Sequence, residues 1–79
     1  MKVQFTGYHT FKSYKNNPEG QDLLQIGIVY KDPDWEGLHA EARFIPYSFL
    51  DTVSRIKTNS VIVIEEFNKK IMDIYPLDK

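Results

Sequence analysis

The densest chemical signal in the chain is the run Tyr8-His9-Thr10-Phe11-Lys12-Ser13-Tyr14-Lys15, in which rings and cations interleave. Rings can stack on unpaired bases while ammonium groups track phosphates, the two contributions a single-strand binder needs. Arg43, Lys69 and Lys70 add cations farther along. The opposite sign gathers in Asp32-Pro33-Asp34-Trp35-Glu36-Gly37, which holds the only tryptophan. That segment looks like the opening of a calcium loop. The twelfth position, where a bidentate glutamate would close the shell, is Arg43. A cation there repels the ion, so the segment reads as an acidic turn.

Residues that could carry out a reaction are sparse. Without cysteine there is no thiol nucleophile, thiolate metal site or disulfide. His9 and His39 fall in different segments, with no ligand spacing joining them. Glu65 and Glu66 are adjacent, so on a strand they point to opposite faces and cannot act together. No glycine-rich phosphate loop, His-Glu-x-x-His or Gly-x-Ser-x-Gly pattern occurs. The expectation is a non-catalytic protein with no cofactor and no metal.

Seventy-nine residues make one domain, 1–79, too short for a doubly wound sheet or a (β/α)₈ barrel. A chain of this size buries only about 60% of the surface it exposes when unfolded, so the core is small. Hydrophobic residues are 42% and charged residues 27%, a globular balance. The net charge of −1 excludes a strongly basic coat but leaves room for local patches. Residues 1–17 carry Lys2, Lys12 and Lys15 and no acid. Residues 18–41 carry six acids against Lys31 alone. The N-terminus lacks an apolar run fit for a signal peptide, and the uncharged stretch Leu23–Tyr30 is too short to cross a bilayer. A cytoplasmic protein is expected.

Alternation with period two predicts the elements that must position these residues. The first strand covers Lys2 to Phe11, with Val3, Phe5, Gly7, His9 and Phe11 on one face and Gly7 marking a bulge or bend. Asn16–Gly20 is a turn. The second strand, about Leu23–Tyr30, puts Leu24, Ile26, Ile28 and Tyr30 on one side. The third, Leu38–Ile45, puts Leu38, Ala40, Ala42 and Phe44 inward and His39, Glu41 and Arg43 outward. Pro46 ends it. Phe49, Leu50, Val53 and Ile56 then follow a helical period, with Ser48 able to cap. Val61–Phe67 and Ile71–Tyr75 are strands about a tight turn in which Asn68 suits a left-handed backbone.

The order β-β-β-α-β-β predicts a mainly β domain with one short helix, an OB-like five-stranded barrel. The alternative is an open five-stranded sheet with one helix packed on it. The stretches "VQFTGYHTFKSYKNNPEGQDLLQIGIVY" and "VIVIEEFNKKIMDIYPL" resemble small OB-type single-stranded DNA-binding proteins, the helix-destabilising proteins of phages and conjugative elements. The resemblance is one of pattern and element order. It implies single-stranded DNA or RNA as partner and an origin in a phage or other mobile element.

On such a fold the loops between strands one and two and between four and five flank the binding face. That assigns Tyr8, Phe11 and Tyr14 as rings and Lys12, Lys15, Arg43, Lys69 and Lys70 as phosphate contacts. Strand aromatics also serve the core, a role that fits Phe5 and Phe11, which leaves Tyr14 as the exposed ring. The competing function is a protein-interaction module, an inhibitor or adaptor acting through Asp32, Asp34, Trp35 and Glu36 or through a sheet edge. A homodimer is compatible with either, and no membrane role is expected.

Overall fold

A computed structural model describes residues 1–77. Strands β1 (Lys2–Ser13), β2 (Gln21–Lys31), β3 (Leu38–Ile45), β4 (Val61–Phe67) and β5 (Lys70–Pro76) form one antiparallel sheet in the order β3-β2-β1-β4-β5. Between β3 and β4 lie a 3₁₀ turn, Tyr47–Phe49, and a short helix α1, Leu50–Ser54. The fold is therefore mainly β, with the element order expected from the sequence.

Alternation decides the core. Leu24, Ile26 and Ile28 of β2 are buried with Val3 and Phe5 of β1 and Ile62 and Ile64 of β4. Each such side chain stabilises the fold by about 1.5–3 kcal/mol relative to leaving it in water. Val53 closes the core from α1, with Phe49, Leu50 and Ile56 packed beside it, as the helical period predicts. Ser48 does not cap: neither the 3₁₀ turn nor α1 has a side-chain cap. The chain leaves Pro46 directly into the 3₁₀ turn, so Ser48 lies inside it rather than ahead of it.

One inserted residue redirects β1. Phe5 pairs with Ile28 and Gly7 with Gly27, so Thr6 is a bulge. Val3 and Phe5 face the core. Beyond the bulge Tyr8 sits opposite the buried Ile26, which turns His9 and Phe11 to the other face. The single face expected for Val3 through Phe11 is thus split in two, and Phe11 is exposed rather than core. Gly7 takes φ +150°, where side chains are strained. A Cβ on Gly27 would come 2.5 Å from Thr6 Oγ1, so a glycine there makes room for the bulged residue. On its other edge Phe5 donates its N–H to the Ser60 carbonyl at 2.8 Å and accepts from the Asn59 N–H at 2.6 Å. Asn59 at φ 72° supplies the left-handed turn that a glycine would otherwise make.

The sheet is not closed, so the alternative of an open sheet holds and the closed barrel does not. β3 and β5 approach each other but make no ladder. Pro46, with no N–H to donate, ends β3, and a bulge at Met72 breaks the spacing of β5. The same bulge lets Ile71 and Ile74, three apart, both enter the core. Gly7→Ala is expected to destabilise the domain by about 1–3 kcal/mol through backbone strain. Thermal unfolding followed by circular dichroism should show a melting temperature lower by roughly 5–20 °C.

Candidate nucleic-acid interface

Register determines which side of β3 meets solvent. Ile45 pairs with Leu24, Arg43 with Ile26 and Glu41 with Ile28. Opposed residues of an antiparallel pair share a face, so Arg43, Glu41 and His39 lie on the core side. Leu38, Ala40, Ala42 and Phe44 point outward and are exposed. This inverts the expected orientation. The apolar half of β3 is its solvent face, because Ile45 is the residue that joins the core.

The inward polar residues are satisfied by one another. The Arg43 guanidinium bonds Glu66 Oε2 through Nε at 2.5 Å and also holds Glu41. Tyr30 donates its hydroxyl to Glu41. His39 Nδ1 lies 3.2 Å from Asp32 Oδ2 and 3.5 Å from Glu41 Oε2. No buried side-chain polar atom among the described residues lacks a partner. The Arg43–Glu66 pair ties β3 to β4 beside the open seam. Arg43, at 11% side-chain exposure and bound to two carboxylates, is committed to this cluster instead of standing free for phosphate.

The outer face carries the rings. His9 stacks on Phe11 with centroids 5.1 Å apart, and Phe11 meets Phe44 at 6.2 Å across β2. His9 Nε2 is 2.9 Å from Gln25 Oε1, which holds the imidazole over the sheet. Phe11 and Phe44 are 36% and 41% exposed. His9 and Phe44 were missed from sequence because the split of β1 and the register of β3 are tertiary. The only local signal was Gly7.

The remaining expected residues distribute around this strip. Tyr8, with Ile26, is on the opposite face from Phe11. Lys12 pairs with Asp22 at 3.2 Å, a solvent-exposed contact of small energy. Tyr14 is exposed, as expected, and lies along Gly20, where an added Cβ would meet its ring at 2.8 Å. Lys15 stands just past the end of β1. The turn between β4 and β5 has both central residues, Asn68 and Lys69, at positive φ, the geometry of a two-residue hairpin, and exposed Phe67 stands beside it. Lys70 opens β5 and lines a cleft of about 540 Å³ at the seam together with Asp22, the partner of Lys12. The cleft's walls include Phe44, Tyr47 and Met72.

The acidic loop is ordered by its own first residue. Asp32 accepts from the Asp34 N–H at 2.9 Å and from His39. The backbone donor, then His39, holds the Asp32 carboxyl below its usual range. Trp35 stacks on His39 with centroids 4.3 Å apart and remains 53% exposed. Asp34 and Glu36 are exposed beside it. Among the described residues no group of three or more histidines and acids is placed to hold a metal. No helix among them is long and apolar enough to cross a membrane. No protein-family model, curated protein or solved structure matches the chain.

Removing Arg43 leaves two carboxylates facing each other at the seam. Arg43→Met should cost about 1–3 kcal/mol in chemical denaturation. The exposed i,i+4 pair of Arg55 with Asp51 serves as comparison, and Arg55→Ala should cost only about 0.5 kcal/mol or less.

Proposed function

We propose that the protein is a non-catalytic binder of single-stranded nucleic acid. Bases stack on the outer ring strip His9, Phe11 and Phe44, and phosphates run past the lysine-bearing hairpins at Lys12, Lys15, Lys69 and Lys70. The observation that carries this reading is the strip itself: three contacting rings, left exposed on a sheet face that bears no charge from Leu23 to Val29 or on the outward positions of β3. Exposed apolar surface gathered in one place marks an interaction site. Rings in series favour bases over other partners, because each base presents a face to stack and stacking contributes about 1–3 kcal/mol per base. An unpaired strand fits better than a duplex, whose base faces are already stacked. Phe44 and His9 replace Tyr8 in the stacking role, and Arg43 drops out of the phosphate set.

Fluorescence anisotropy with labelled oligo-dT at low salt tests the reading. Phe11→Ala and Phe44→Ala should each weaken binding roughly tenfold, and affinity should fall steadily as salt rises. Folded protein that leaves the oligonucleotide free at every salt concentration removes the proposal.

A second reading rests on Trp35. Its ring is held against His39 yet half open, with Asp34 and Glu36 beside it, a preorganised aromatic of the kind that anchors protein interfaces. Under that reading Trp35→Ala abolishes capture of a partner from host lysate, and oligo-dT is not bound by the parent protein.

A further inference from the structure

The cleft at the seam has a chemistry of its own. β3 pairs only with β2, and β5 only with β4. Along the seam their other edges carry backbone N–H and C=O groups without ladder partners. The cleft, about 540 Å³, lies between these edges. Phe44 and Tyr47 give it ring walls and Met72 a thioether among the aliphatic Leu23, Ile45, Pro46 and Ile71, and Lys70 supplies a cation alongside the carboxylate of Asp22. Phe44 belongs to both the cleft and the outer ring strip.

We propose that this cleft receives one unpaired nucleobase of the bound strand, turned out of the stack beside Phe44. The proposal rests on the reading of the ring strip as a nucleic-acid surface and adds a site to it. Three features select a base over an acyl chain or an aliphatic side chain. The ring and thioether walls favour a planar aromatic guest. Strand-edge backbone groups that belong to no ladder match the in-plane edge groups that a base carries and a hydrocarbon lacks. Lys70 offers a charge to the phosphate that must follow the inserted base. Gln21 and Asp22 line the same cleft and give it the means to prefer one base edge over another. Insertion requires a base free of its pairing partner, so the cleft makes the protein selective for single strands.

Photocrosslinking of oligo-dT with 5-iodouracil at successive positions, mapped by mass spectrometry, tests the inference. Adducts are expected on Tyr47 or Met72 as well as on His9 or Phe11. Met72→Trp, which fills the cleft at an exposed position of β5, should remove the Tyr47 adducts and weaken oligo-dT binding roughly tenfold. Its affinity for an abasic oligonucleotide of the same length should match that of the parent protein. Adducts confined to His9 and Phe11, or a Met72→Trp variant that binds oligo-dT as tightly as the parent, overturn the cleft site and leave the ring strip standing. Absence of any crosslink or binding in the parent removes the ring strip and the cleft together.

Discussion

The bulge at Thr6 is the constraint on which the rest of the molecule depends. Side chains on a strand alternate strictly, so a residue facing the core at position five forces positions nine and eleven inward as well. The extra residue breaks that sequence. Val3 and Phe5 stay in the core, while His9 and Phe11 come out on the surface with Phe44. Gly7 accepts the backbone angle the insertion needs, and Gly27 leaves room for the Thr6 side chain. The bonds from Phe5 to Asn59 and Ser60 hold the same point from the other side. Core and surface strip are thus built from one strand by one local irregularity.

The second organising feature is the polar cluster beside the seam. Beside the seam, where the end strands β3 and β5 form no ladder, side chains tie β3 to β4: Arg43 engages Glu41 from its own strand and Glu66 from β4. Tyr30 and His39 complete the set, and Trp35 covers His39. The charges of β3 face inward because partners wait for them there, and this frees its apolar residues for the outside. The arrangement exchanges a continuous ladder for a cleft, which a fully hydrogen-bonded closure would fill.

Strip and cleft are continuous through Phe44, and Lys70 lines the cleft. Four of the ten basic residues, Lys12, Lys15, Lys69 and Lys70, lie at or near hairpin ends, while three acids gather in the Asp32–Glu36 loop and Glu41 and Glu66 hold Arg43. On the proposed nucleic-acid reading, affinity would come more from stacking than from bulk electrostatics.

Short-range rules were legible in the chain itself. The strand positions, the turn at Asn68, the apolar side of α1, the inward set Leu24, Ile26 and Ile28, and the exposure of Tyr14 all follow from alternation, helical period and turn chemistry. The orientation of β3 did not. Its residues alternate cleanly, but alternation states only that two faces differ, not which one is buried. The register Ile45 with Leu24 made that choice, and a shift of one residue would reverse it. The same holds for Phe11, whose side depended on one inserted residue upstream, and for Arg43, whose partner Glu66 is distant in sequence. Local composition determined which elements form; pairing between them decided which side chains meet, because facing and partnership are properties of two strands and not of one.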